Sequence, residues 1–277
     1  MDLLKIVWLK LFKFNKAPMN DQTKQAQEQS AFSTAGLSSA EAKFYQRHYD
    51  NEHFHSTEFD FDHFLKSHPV AQTNFGKNGR YKLVAEVLAA NPVQKLLELG
   101  CAWGENCAHM LHYATEVTGV DIVLPKWAKN IAWPNLTLME ANANEQLPFA
   151  AASFDAIIGM MVVEHLFDPF KSVAELRRLI KPDGVIILNL PLVTSWKNRL
   201  RLLFGQLPLT TSAGWFEARE WDGGHLHYFT WPLIVKLMAT AGLEVTHCRA
   251  VGKMSGMKTT FLGILASEVT FAARVIR

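Results

Sequence analysis

LLELGCAWG, residues 96 to 104, sets an acidic residue and closely spaced small residues directly after a short apolar run. Leu96, Leu97 and Leu99 read as a buried strand, and Glu98 puts a carboxylate at its end. Gly100, Ala102 and Gly104 then leave little side chain between the turn and an approaching ligand, so the pattern E-x-G-x-A-x-G describes a loop whose bare backbone can meet a nucleoside. A dinucleotide-binding loop would need a glycine at position 105. The chain has Glu105 there, whose charge would lie beside a pyrophosphate at the helix N-terminus. That argues against nicotinamide and flavin dinucleotides. Two carboxylates suit a positively charged, phosphate-free nucleoside better.

The segments that follow come in a telling order. GVD stands at Gly119 to Asp121 and NANEQLPF at Asn142 to Phe149. SFDAIIGMMVVEHLFDP occupies Ser153 to Pro169, and LRRLIKPDGVIILNLP occupies Leu176 to Pro191. With the glycine loop, this succession resembles the class I S-adenosylmethionine-dependent methyltransferases, in particular their small-molecule and quinone-type members, over most of residues 80 to 275. The resemblance implies S-adenosyl-L-methionine as cofactor. It also implies a cofactor-binding set made of Glu98, Gly100, Ala102, Gly104, Asp121, Ile122, Asn142, Ala143 and Met160. Within that set Asp121, about twenty residues beyond the glycines, would take the ribose hydroxyls. Asn142 stands where the family usually carries Asp beside the adenine amino group, and would accept through its amide oxygen. Ile122 and Ala143 would flank the base, and Met160 and Met161 would lie near the methionine part.

The Glu164-His165 pair matches an acid-histidine step in the same family, and His165 is the leading candidate for a general base because imidazole titrates near neutral pH. About forty residues separate the fifth strand from the next helix, a connection long enough to expect a functional lid or acceptor-binding insertion over 191–230. Its second half, EWDGGHLHYFT at Glu220 to Thr230, is similar to segments preceding that helix in small-molecule and quinone-type methyltransferases. His225 and His227 are therefore carried as further catalytic candidates, with Thr230 as the cap of a helix opening at Trp231-Pro232.

From residue 95 onward, alternating apolar runs and helical patterns predict a doubly wound α/β fold. Strands are expected near 95–99, 116–120, 136–140, 156–160, 185–190, 243–249 and 267–275, giving a seven-stranded, mostly parallel, Rossmann-like sheet whose last strand returns antiparallel. Lys181 to Gly184, KPDG, is expected to be a turn between a helix and the fifth strand.

The 277 residues suit one such domain over 40–277, with a cap at 40–78, after an N-terminal extension of 1–39. Met1 to Lys16 interleave Leu4, Val7, Trp8, Leu11 and Phe12 with lysines at near-helical spacing, a basic amphipathic helix suited either to a membrane surface or to docking on protein. Gln22 to Ser39 read as a polar linker. His48, His53, His55 and His63 lack cysteine partners and a zinc-ligand spacing, so no metal is expected.

Lys and Arg total 28 against 26 acids, a net charge of +2 that makes no case for nucleic acid. Three cysteines without pairing or metal spacing point to a reduced compartment, the cytoplasm. The expected activity is methyl transfer to a small-molecule acceptor, lipid-linked or sugar-derived among the options, at a hydroxyl oxygen. A non-catalytic, cofactor-binding partner subunit of a membrane-associated enzyme is the rival from another class. A nicotinamide oxidoreductase stands third.

Overall fold

In a computed structural model the described residues are 75–131, 133–211 and 221–276. The N-terminal amphipathic segment, the linker, nearly all of the cap with its four histidines, and 212–220 of the insertion lie outside them.

Helix α1 (Lys82–Ala89) leads into strand β1 (Val93–Leu99). Then follow α2 (Glu105–Met110), β2 (Ala114–Asp121), β3 (Leu136–Glu140) and β4 (Phe154–Met160). After a 3-10 turn at Val163–His165 come α3 (Pro169–Leu179), β5 (Ile180–Pro191) and α4 (Trp196–Leu203). A second 3-10 turn at Trp221–Gly224 precedes α5 (Trp231–Thr240) and β6 (Leu243–Ala250). Two short helices, α6 (Ser255–Thr260) and α7 (Leu262–Leu265), then lead to β7 (Glu268–Val275).

The seven strands form one sheet in the order β3-β2-β1-β4-β5-β7-β6. The first five pair in parallel, and β7 runs antiparallel to both β5 and β6. All seven expected strands are present, as is the antiparallel return.

Side chains on successive strand residues point to opposite faces, and the sheet has an apolar core on each. Leu97, Leu99, Ile157, Ile186, Leu188 and Phe271 join one core with Val173, Leu176 and Leu179 of α3 and Ile234, Leu237 and Met238 of α5. Their neighbours Leu96, Ile158, Ile187 and Ala272 join the other with Leu83, Val84 and Leu88 of α1 and Cys107 and Met110 of α2. Covered on both faces, the central strands can be apolar at every position, which is why they read as continuous runs rather than alternating ones.

KPDG behaves differently from the expected turn. Lys181 to Gly184 lie within β5, as a bulge: Phe154 pairs with Ile180, yet Ala156, two residues on, pairs with Val185. Asp155 holds that bulge, accepting from Lys181 Nζ at 2.7 Å and from the backbone amide of Lys95 at 2.9 Å.

The chain moves outward from β1 through β2 to β3, then returns to the other side of β1 to place β4 and β5. Beyond the carboxyl ends of β1 and β4 the connections diverge, and this opens the crevice in which such sheets bind ligands.

Glu98 sits inside the second core, at 1% exposure. One carboxylate oxygen accepts from Tyr81 Oη at 2.6 Å and the other from Cys107 Sγ at 2.8 Å. Burial dominates over these two bonds and raises its carboxyl from the ordinary 4.5 to about 7. Below pH 4.5 Glu98 is neutral in both the folded and the unfolded chain and exacts no cost. Between 4.5 and 7 the unfolded chain loses the proton first, so stability declines, and above about 7 the full penalty persists. At about 1.4 kcal/mol per pH unit, that penalty is on the order of 3 kcal/mol. Glu98→Gln should therefore melt higher than the parent at pH 8 and lose most of this advantage at pH 5, as read by thermal unfolding at the two pH values.

Candidate active site

The crevice is built from the ends of three strands. Leu99 and the following Gly100 and Ala102 form one wall, Val120, Asp121 and Ile122 a second, and Met160, Met161 and Val162 a third. Ala141 to Asn144, and His165 with Leu166, complete the lining.

The loop after β1 folds as its composition demands. Gly100 has φ +72 and Ala102 has φ +48, so two residues within three adopt the left-handed region. A methyl group on Gly100 would overlap the Val162 side chain, so only glycine lets the loop pass beneath the segment after β4. Met161, on the facing wall, is also left-handed at φ +58. Strained backbone of this kind persists where its surroundings over-determine it, often at ligand sites.

Asp121 ties the loop down. Its Oδ2 accepts from the backbone amide of Ala102 at 2.7 Å and its Oδ1 from that of Ile122 at 2.7 Å, at 5% exposure. Next to it, Asn142 Oδ1 accepts from the backbone amide of Asn144 at 3.0 Å and from Asn144 Nδ2 at 3.1 Å. Asn144 Oδ1 in turn accepts from the Phe167 amide at 2.8 Å, which links this part of the lining to the loop after β4.

Of the residues expected at the cofactor, Gly100, Ala102, Asp121, Ile122, Asn142, Ala143 and Met160 share the crevice wall, and His165 joins them. Glu98 and Gly104 do not. Glu98 is committed to Tyr81 and Cys107 behind the strand. Gly104, at φ +76, begins α2, and a Cβ there would lie 2.7 Å from Leu138 Cδ1, so its smallness serves packing against β3. Asn142 is on the wall, but the amide oxygen expected to meet adenine already takes two donors from Asn144. Sequence reading named Met161 beside Met160 but missed Asn144 and Val162. The N-A-N spacing that lets Asn144 donate to Asn142 was the available signal for the first.

His225 and His227 lie behind the crevice, not on its wall. Segment 224–227 is bonded to 164–166: the Glu164 carbonyl accepts from the amides of Leu226 at 2.9 Å and His227 at 3.2 Å. His165 Nδ1 faces the Gly224 carbonyl at 3.2 Å, and His227 Nε2 faces the Leu166 carbonyl at 2.9 Å. His227 thus pins backbone, a structural task in place of the expected chemical one. His225 is 5% exposed, with Nδ1 2.6 Å from Thr210 Oγ1, and its ring packs edge-on to that of His165 at 4.7 Å.

Glu164 is wholly buried beside both histidines. Neither of its carboxylate oxygens has a hydrogen-bond partner among the described residues, and burial pushes the carboxyl up to about 8.

This fold recurs in known proteins. A family model described as a methyltransferase domain matches residues 74–248. The chain is 28% identical over 180 residues to a protein of Mycolicibacterium smegmatis named as a probable S-adenosylmethionine-dependent methyltransferase, covering 64% of this chain and 63% of that one. It is 33% identical over 99 residues to a ubiquinone biosynthesis O-methyltransferase of Cereibacter sphaeroides, covering 34% of this chain and 40% of that one. The chain thus spans 63% or less of the length of these curated relatives. Among solved structures, an S-adenosylmethionine-dependent methyltransferase from Mesorhizobium loti superposes with a TM-score of 0.52 at 13% identity, over 71% of this chain and 98% of that one, a likeness of fold. With the family model spanning more than half of its residues, the chain belongs to the class I S-adenosylmethionine-dependent methyltransferases.

Proposed function

We propose that this protein moves the methyl group of S-adenosylmethionine to a hydroxyl oxygen of a small-molecule acceptor by in-line displacement. The observation that carries the reading is the crevice itself: one cavity at the strand ends is lined by Asp121 and Asn142, by left-handed backbone at Ala102 and Met161, and by the imidazole of His165. Family membership and the relative named as an O-methyltransferase support it.

The residues present fit the cofactor. Asp121 offers a carboxylate to a ribose, and Gly100 and Ala102 leave backbone where a larger side chain would fill the space. When bound, S-adenosylmethionine supplies an electrophilic methyl on a sulfonium that is already a good leaving group. The protein's part is therefore chiefly alignment, and orientation of two reactants recovers about 7 to 11 kcal/mol of a barrier. Met160, Met161 and Val162 line the same crevice as His165 and give it an apolar wall, where a bound acceptor is shielded from water. His165 is the one histidine of the three candidates on the wall, and we assign it to the acceptor side.

Incubating the protein with methyl-labelled S-adenosylmethionine and cell-extract fractions, and searching by mass spectrometry for a metabolite heavier by one methylene, tests the reading. No labelled product, with S-adenosylhomocysteine bound tightly, would favour the partner-subunit alternative. Asp121→Ala removes charge-assisted hydrogen bonds worth about 1.5 to 3 kcal/mol each and should weaken S-adenosylhomocysteine at least about tenfold by calorimetry. Asn142→Asp should act in the opposite direction: one oxygen keeps the Asn144 donors while the other becomes a new acceptor for the adenine amino group, tightening binding roughly threefold or more. His165→Ala should lower turnover by about 10²-fold while leaving S-adenosylhomocysteine affinity within a factor of about two.

A further inference from the structure

Glu164, His165 and His225 bring one ligand atom each to within 4.8 Å of one another. Nothing in their sequence spacing announces this. Glu164 and His165 follow β4, and His225 comes from the far end of the insertion. The cluster forms because segment 224–227 is bonded onto 164–166.

The hydrogen bonds around the cluster fix its proton inventory. Thr210 Oγ1 is 2.6 Å from Asp222 Oδ2, and Asp222 also accepts from the backbone amides of Thr210 and Thr211 and from Thr211 Oγ1. Each Asp222 oxygen already accepts from a backbone amide, so the Thr210 hydroxyl proton points at Asp222. The hydroxyl must then accept from His225 at their 2.6 Å contact, which puts the imidazole hydrogen on Nδ1 and a lone pair on Nε2. His165 is set the same way: its Nδ1 faces a carbonyl oxygen, Gly224 O, which can only accept.

His225 Nε2 lies 3.9 Å from Glu164 Oε1 in a buried site, too far for a hydrogen bond. Glu164 accepts no hydrogen bond on either oxygen among the described residues. A buried carboxyl of this kind beside two imidazoles is a donor set for a cation, which takes the place of the carboxyl proton on binding.

We propose that Glu164, His165 and His225 bind a divalent first-row metal ion, zinc or manganese by ligand type, directly behind the crevice wall that His165 forms. Two imidazoles and one carboxylate match the donor preference of such ions and leave coordination positions for an exogenous oxygen. In a tetrahedral site, metal–ligand bonds of about 2.0 to 2.2 Å set donors about 3.3 to 3.6 Å apart, so a pair at the 4.8 Å limit closes by about 1.2 Å or more on binding. Thr210 and Asp222 are positioning residues that act through the His225 ring.

The role of the ion rests on the methyltransferase reading above: an acceptor hydroxyl bound to it loses its proton to water more readily, before the O–CH3 bond forms and the C–S bond breaks. Its binding does not rest on that reading and can be measured separately. His165 then serves as a ligand rather than as the lone base expected from sequence.

Full-length protein stripped with a chelator should take up one equivalent of zinc or manganese in a calorimetric titration. Glu164→Gln and His225→Ala should each weaken that binding more than about tenfold. Thr210→Val, outside the ligand set, should weaken it by about tenfold while leaving the circular dichroism spectrum unchanged. Calorimetry with S-adenosylhomocysteine on the same samples separates the two readings. Cofactor binding without uptake of either metal overturns the metal site alone, and metal uptake without cofactor binding overturns the methyltransferase reading alone. Unchanged metal affinity in Glu164→Gln, or in Thr210→Val if the ligand variants fail to fold, also overturns the site.

Discussion

The contact between Asp121 and the backbone of Ala102 holds two walls of the crevice together. A carboxylate at the tip of β2 accepts an amide from the loop leaving β1, and the loop can present that amide because Gly100 and Ala102 are left-handed. The arrangement needs glycine at position 100, since the Val162 side chain occupies the space a Cβ would take. The carboxylate and the bare loop are thus parts of one device. The acid organises the backbone before any ligand arrives, and such preorganisation lowers the cost of binding.

A second device joins the insertion to the sheet. Backbone and imidazole hydrogen bonds fasten residues 224–227 to the turn after β4, so the long insertion is anchored at the same point where β4 ends. Asn144, donating to Asn142 and accepting from Phe167, connects this turn to the crevice lining at Asn142. A displacement of the turn after β4 would therefore be felt at Asn142 as well. Glu164 lies at the junction, buried where three chain segments meet.

Two kinds of chemistry, acids and histidines, divide here into separate tasks by burial. Asp121 borders the crevice, whereas Glu98, only one residue before the loop in β1, turns into the opposite core because strand residues alternate. Gly104 likewise sits in the sequence motif yet serves the packing of α2 against β3. Among the histidines, His165 reaches the wall, His225 stands behind it, and His227 holds a carbonyl.

By itself the sequence determined the sheet and the crevice walls at the ends of β1 and β2. Apolar runs mark strands buried on both faces, and small residues with an acid at the expected interval lie close along the chain, so local pattern carries the information. KPDG was the exception, because a bulge inside a strand and a turn before one share the same residues. Tertiary structure alone decided which side of β1 Glu98 faces, that the Asn142 oxygen is already engaged, and that His225 meets Glu164 and His165. These are contacts between residues many positions apart or choices between two faces of a strand. They depend on how the insertion returns to the sheet, and no periodicity along the chain encodes that return.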